Sequence, residues 1–404
     1  MPPFRFPKLR PVQAEPFLYE GHPCLLLRDP QGISGKALLA PREIGLILPF
    51  CDGTREDAGA IGAAVALRLG VRLRAGAIEE MLALLDEALL LDNEKAAQAE
   101  ADALAAYRAA EYRPPASAGA SYPEDPEELR RLLDSCLAED GPARPADETE
   151  AGAVTGLVSP HIDYPRGGPV YAKVWGRARE AVEAADLAVI LGTGHHGDEL
   201  LTLTRQHYAT PFGVLPTAGD VVERLAGALG EAAFRGELHH RLEHSIELAA
   251  VWLHHLRGGR SCPVVPILCG SFQRFLDGRT DPAADPALQA AVDCLGPILR
   301  ERRAVVVAAG DLAHVGPAFG DPPVDLKGRA ELAERDEALL ARVAAGDAGG
   351  FWDAIREVGD RNHVCGLPPI YLALRLLAPC QGDVAAYDRC PADEAGTSLV
   401  SIAG

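Results

Sequence analysis

Four apolar runs, each closed by turn and polar residues, restrict the possible folds of this chain more than any other feature. Leu187-Ala188-Val189-Ile190-Leu191 leads into Gly192-Thr193-Gly194-His195-His196-Gly197, and Leu157-Val158-Ser159-Pro160 leads into His161-Ile162-Asp163-Tyr164. Residues 263–268 lead into Cys269-Gly270-Ser271, and residues 304–309 into Gly310-Asp311-Leu312-Ala313-His314. A short, continuous apolar run bounded in this way reads as a strand buried on both faces, as in a parallel sheet. Helical stretches separate the runs from residue 153 onward, which is the α/β pattern. In an open parallel sheet, ligands sit at the carboxyl ends of the strands. The four runs therefore deliver polar residues to one edge, and three of them bring a histidine.

The length of 404 residues predicts two or three domains, and with 48% apolar residues a large core is expected rather than disorder. No apolar run is long enough to span a membrane. Met1-Pro2-Pro3-Phe4-Arg5-Phe6-Pro7 lacks the apolar segment of a signal peptide, so a cytoplasmic location is expected. The net charge of −19, most of it beyond residue 113, excludes nucleic acid and anionic membrane as expected partners, because phosphates are repelled. The nine cysteines stand singly, with no Cys-x-x-Cys pair. That argues against a zinc ribbon, an iron–sulfur cluster or a thioredoxin-type motif, and for reduced thiols.

Residues 1–95 read as a separate small unit. Residues 17–27 predict a hairpin, with Asp29-Pro30-Gln31-Gly32 as its turn. Pro41-Arg42-Glu43 opens a helix. Thr54 is expected to cap a second, with Asp57 as capping-box partner, and Ile78, Met81, Leu82, Leu85 and Leu89 mark a third. Residues 96–113 belong to a solvated connecting helix, rich in Ala and Glu. Residues 114–404 form the α/β domain, with a polar loop at 139–152 and a final strand over residues 397–402.

His161, His195 and His314 each follow a different strand. Imidazole is a common ligand for iron, copper and zinc, and a nearby carboxylate would complete a facial triad suited to Fe(II). Asp163 and Asp311 are the carboxylates at hand. His196 beside His195 is expected to differ from it in direction, one ring inward and one structural. Gly192, Gly194 and Gly197 allow a tight turn there, but the spacing matches no phosphate-binding loop. Glu243-His244-Ser245-Ile246-Glu247 opens a helix, from which His244 can serve as acid/base or as an added ligand. Arg166, in the Gly-rich stretch after Asp163, is a candidate for an anionic substrate group. Asn362-His363-Val364-Cys365-Gly366 is a candidate pocket wall, with Cys365 read as a buried thiol because nothing beside it in sequence activates it.

These motifs resemble the Memo-like family, in particular the bacterial branch known as AmmeMemoRadiSam system protein B. Ser159-Pro160-His161-Ile162-Asp163-Tyr164-Pro165-Arg166-Gly167-Gly168, Leu191-Gly192-Thr193-Gly194-His195-His196, Thr210-Pro211-Phe212-Gly213, Glu243-His244-Ser245-Ile246-Glu247, Pro266-Ile267-Leu268-Cys269-Gly270-Ser271 and Gly310-Asp311-Leu312-Ala313-His314 occur in the family's order. The resemblance implies an α/β fold like the class III extradiol dioxygenases, a sheet flanked by helices. It implies that His161 and His195 are the two metal-binding histidines, and that His244 is a pocket histidine. Some animal members carry Cys where this chain has Ala313, so the third ligand is left open among Asp311, His314, His244 and water. Radical-SAM and AMMECR-like proteins are the partners it suggests. The N-terminal unit resembles the winged-helix, peptide-binding domains of the PqqD type through residues 48–55 and the helix spacing after them, which suggests a peptide or protein partner for residues 1–95.

The expectation is therefore a metal-dependent redox enzyme or oxygenase acting on a small-molecule substrate. Fe(II) is the first choice of metal, with copper or zinc as alternatives. His161, His195 and His314 hold the ion, His244 and Asp311 handle protons, and Arg166 and His196 meet the substrate. The rival readings are a degenerate binding or scaffold protein and a metal-dependent hydrolase.

Overall fold

The computed structural model of the chain describes residues 4–35, 37–139 and 155–404. The loop expected at 139–152 falls, beyond Glu139, outside the described residues. The chain divides into two compact units, Met1–Ala109 and Ala110–Gly404.

The first unit starts with an antiparallel sheet of β1 (Gln13–Tyr19), β2 (His22–Arg28) and β3 (Leu38–Pro41), in that order. Glu20 and Gly21 form the two-residue turn of the hairpin, with φ of 48° and 79°, as such loops require. The turn expected at Asp29 follows β2 and closes the hairpin, with Gly32 N donating to Asp29 O at 2.9 Å. Two 3-10 turns, Arg42–Leu46 and Leu48–Phe50, replace the helix expected at Pro41. Three helices follow: α1 (Ala58–Leu69), α2 (Ala75–Glu87) and α3 (Glu94–Ala109). Asp57 rather than Thr54 caps α1, its carboxylate accepting from Ala60 N at 2.9 Å, while the Thr54 hydroxyl is turned to Asp52. Ile78, Leu82 and Leu85 of α2 meet Ile61, Val65 and Phe50 in the core of this unit.

The second unit begins with α4 (Pro126–Glu139), β4 (Gly156–Ser159), α5 (Tyr164–Arg177), α6 (Arg179–Ala184) and β5 (Leu187–Thr193). Three short strands come next, β6 (Leu201–Leu203), β7 (Tyr208–Thr210) and β8 (Gly213–Leu215). Then follow α7 (Gly219–Leu229), α8 (Ser245–Leu256), β9 (Val264–Cys269), α9 (Pro286–Glu301), β10 (Ala304–Ala309) and β11 (His314–Val315). The chain finishes through α10 (Leu326–Ala344), α11 (Ala348–Glu357), α12 (Leu367–Leu377), β12 (Tyr387–Pro391) and β13 (Leu399–Ala403).

The central sheet is mixed, with strand order β4-β10-β5-β9-β6. The four apolar runs are its four parallel strands, and β6 lies antiparallel at the edge. Residues alternate between two cores along each strand. Leu187, Val189 and Leu191 of β5 face α7, α9 and α12, while Ala188 and Ile190 face α5 and α8. Two-sided burial explains why these runs lack polar alternation. The expected last strand is β13, which pairs with β11 and β12 in a separate antiparallel sheet.

A completely buried ion pair ties the start of this unit to α8. Arg113 Nη1 lies 2.6 Å from Glu247 Oε2, and both side chains are 0% exposed. Arg113 also donates to the carbonyls of Pro114, His240 and Glu243. Glu247 accepts from the backbone of Ala116 and Ser117 and from the Tyr122 hydroxyl. Glu247→Ala leaves the guanidinium buried without its counter-charge and should destabilise this unit by about 3–5 kcal/mol. Urea unfolding followed by tryptophan fluorescence reads it directly, because the three tryptophans, Trp175, Trp252 and Trp352, all lie in the second unit. A loss under about 1 kcal/mol, as for an exposed pair, would show that the pair is not structural.

Candidate metal centre

His161 follows β4, His195 follows β5, and His244 sits at the N-terminal boundary of α8. One ring nitrogen from each lies within 4.8 Å of the others, the spacing of a shared ion. The ring centroids form a nearly equilateral triangle of 5.0, 5.1 and 4.9 Å. Close approach of α8 to β5 makes this possible. A Cβ at Gly192 would stand 2.5 Å from Ile246 Cγ1 and 2.6 Å from Ser245 Oγ, so only glycine lets the helix start reach the strand end. Ser245 Oγ then donates to Thr193 O at 3.0 Å.

The exposure of the three rings is graded. The His161 side chain is 3% exposed, His195 29% and His244 38%, so the site has a buried floor and an open mouth. Each Nδ1 has an acceptor nearby. His161 Nδ1 is 3.3 Å from Ala309 O, and His195 Nδ1 is 2.9 and 3.1 Å from the two oxygens of Glu243. His244 Nδ1 is 3.2 Å from Glu243 Oε1. Nε2 is left as the donor atom of each ring toward an ion, and the residues present fit a divalent metal.

Burial holds the His161 pKa well below its usual value, and the neighbouring His195 and His244 add to that. Loss of solvent lowers His244 as well. At His195 the desolvation acts downward, but the Glu243 carboxylate outweighs it and the pKa is raised. Glu243 is held well below the carboxylate range: its burial is overridden by His195 and His244. Neutral imidazole is the ligand form.

Two further groups border the cluster. Asp311 is buried, and its Oδ1 accepts from His161 N at 2.8 Å. Its Oδ2 lies 3.8 Å from His161 Nε2, and burial pushes its pKa up to about 7. Cys365 Sγ lies 3.2 Å from His161 Nε2 and 3.6 Å from Asp311 O. Burial, then the Asp311 charge, raise the thiol well above its ordinary pKa. A Cβ on Gly310 would be 2.4 Å from Gly366 Cα, so these two glycines let the Cys365 loop close onto the strand end. Gly366 N donates to Asp311 O at 2.8 Å and Thr193 Oγ1 to Cys365 O at 3.1 Å.

The grouping differs from the sequence expectation in one member: His244, not His314, stands with His161 and His195. His314 Nδ1 is 3.2 Å from His363 O and its ring packs on Phe319, with centroids 5.1 Å apart. Burial, then His195, lower the His314 pKa to about 4. The His196 ring centroid is 6.5 Å from that of His195 and 6.5 Å from that of His239, beside the triangle and not in it. Arg166 lies in the first turn of α5, not in a loop. Its Nε donates to Asp163 Oδ2 at 2.7 Å and its Nη1 to Pro391 O at 3.0 Å, so the guanidinium clamps the chain. Ala313 faces away, packed with Leu332 and Leu399. Cys365, read from the sequence as a buried thiol in a pocket wall, stands beside His161, and Glu243 is the site residue that sequence reasoning passed over. Glu243 immediately precedes His244, which was the only signal for it.

A family model described as Memo-like protein matches residues 113–404. A MEMO1 family protein of Aquifex aeolicus is 26% identical over 317 residues, covering 78% of this chain and 77% of that protein. One of Thermus thermophilus is 29% identical over 279 residues, covering 68% and 76%. One of Methanosarcina mazei is 31% identical over 267 residues, covering 64% and 84%. With the match spanning well over half of its length, the chain belongs to the Memo-like protein family.

Proposed function

We propose that the second unit is a non-haem metal protein that carries out redox chemistry on a small molecule. His161, His195 and His244 hold one divalent ion, and Cys365 offers a sulfur donor at its edge. The observation that carries this reading is the convergence of three ring nitrogens within 4.8 Å. Fe(II) is the first assignment and copper or zinc the alternatives, since imidazole suits all three. When bound, the ion supplies a Lewis acid or redox centre toward dioxygen or substrate.

The chain's own residues supply the rest. His161 fixes the depth of the ion, because its ring cannot swing out of the core. Asp311, with a pKa near neutrality, holds or releases a proton beside the site. His314, its pKa lowered to about 4 by burial, stays neutral there. A parallel sheet with histidines beyond its strand ends supports a class III extradiol dioxygenase-like architecture. For the first unit we assign a winged-helix-like fold of the PqqD type, supported by its small sheet and three helices. No helix among the described residues is long and apolar enough to cross a membrane.

Anaerobically purified protein should contain close to one equivalent of transition metal by elemental analysis. The double change His161→Ala, His195→Ala should abolish it, and unchanged metal content in that variant would refute the site. Cobalt substitution tests the sulfur donor. The Co(II) form should show a near-ultraviolet thiolate-to-cobalt band that Cys365→Ser removes while cobalt stays bound, and identical spectra would exclude Cys365 as a ligand. Oxygen uptake with a panel of catechols should exceed turnover of esters and amides. The reverse order would reassign the site to hydrolysis by metal-activated water.

A further inference from the structure

We propose that Glu243 is the positioning residue of this centre: a single buried carboxylate that sets the tautomer of two metal-facing histidines at once. The consequence for metal binding rests on the reading above; the geometry does not. The Glu243 side chain is 4% exposed. Its Oε2 lies 2.9 Å and its Oε1 3.1 Å from His195 Nδ1, and Oε1 is also 3.2 Å from His244 Nδ1. The same carboxylate accepts from Ser245 N at 3.0 Å and His195 N at 3.3 Å.

An ionised carboxylate accepts hydrogen bonds and donates none. His195 must bring a proton to hydrogen-bond with it, and a lone pair on His244 Nδ1, in ion-pair contact at 3.2 Å, would be repelled by it, so both rings carry their proton on Nδ1. In the neutral ring each Nε2 then keeps its lone pair, as a metal requires. His161 reaches the same tautomer through Ala309 O, another pure acceptor, 3.3 Å from its Nδ1. All three rings are thus prepared before any ion arrives. Glu243 is itself held from behind, because Arg113 Nη2 donates to its carbonyl at 2.7 Å.

Glutamine cannot replace it in either orientation of the amide. With NH2 in the place of Oε2, an N–H points at His195 Nδ1 and at His195 N. With NH2 in the place of Oε1, it points at Ser245 N and at both Nδ1 atoms. Either way an amide N–H is set against a backbone N–H, and the imidazole that faces the NH2 is driven to accept at Nδ1, which puts its proton on Nε2 and costs it its place as a ligand. Aspartate keeps the acceptor character but is one methylene shorter.

Nitrogen NMR of the imidazole rings in the metal-free, full-length protein tests the proposal. His195 and His244 should both be Nδ1–H tautomers, with at least one converted in Glu243→Gln. Zinc titration against a competing chelator should show binding about 10–100-fold weaker in Glu243→Gln. Glu243→Asp should recover part of that loss. Wild-type affinity in a folded Glu243→Gln, or an Nε2–H tautomer at His195 or His244 in the wild-type protein, would overturn the proposal. Should Glu243→Gln fail to fold, the wild-type spectrum still decides. Should the wild-type protein bind no zinc, cobalt or iron, the metal reading falls and the tautomers still judge Glu243.

Discussion

The buried pair of Arg113 and Glu247 is the constraint on which the rest of the site depends. Two opposite charges removed from water are tolerated only when their remaining hydrogen-bonding positions are also filled. Here they are filled from three stretches of chain. Arg113 takes the carbonyls of Pro114, His240 and Glu243, while Glu247 takes the amides of Ala116 and Ser117 and the Tyr122 hydroxyl. The result fixes the backbone from His240 to Glu247 within a buried network. Glu243 and His244 lie inside that span, so the site inherits its rigidity from a pair that touches no ligand atom. An apolar substitute could fill the same volume, but it could not hold two carbonyls on either side of Leu242.

The sheet contributes position in a different way. Parallel strands end at one edge, and three of the four deliver one piece of chemistry there: β4 His161, β5 His195, and β10, through its following loop, Asp311. The side chains meet only because glycine stands where the backbones converge. Gly192 admits the start of α8, and Gly310 against Gly366 admits the loop that carries Cys365. The missing methyl groups are therefore as much a part of the site as the imidazoles.

Local pattern made the sheet legible, and long-range geometry limited what could be read of the site. The four apolar runs became the four parallel strands because two-sided burial leaves an unmistakable composition. His161 and His195 followed from their place at strand ends. His314 shares that place, yet its ring packs on Phe319 and stands outside the group formed by His161, His195 and His244, which no spacing reveals. Cys365 was set aside because nothing adjacent in sequence activates it, whereas its neighbour in space, His161, is 204 positions away. Arg166 read as a candidate for an anionic substrate group or for a turn-fixing salt bridge; it makes the salt bridge with Asp163, and its second partner, Pro391 O, is 225 positions away. In the first unit, Thr54 read as the cap and Asp57 as its capping-box partner; the helix start at Ala58 makes Asp57 the cap.

The graded burial of the three histidines bears on how an ion enters. A ligand set buried throughout would need the core to open, since packed interiors do not admit a hydrated ion. Here only His161 is enclosed, while His195 and His244 line the mouth. An ion held there would reach His195 and His244 from the open side and His161 from within. The acidic balance of the chain acts in the same direction, since a net charge of −19 raises the local concentration of cations around it. That attraction does not discriminate between metals. Selectivity must then come from the donor set, in which three imidazoles beside a thiol favour transition metals over magnesium or calcium, the ions that the charge alone would gather.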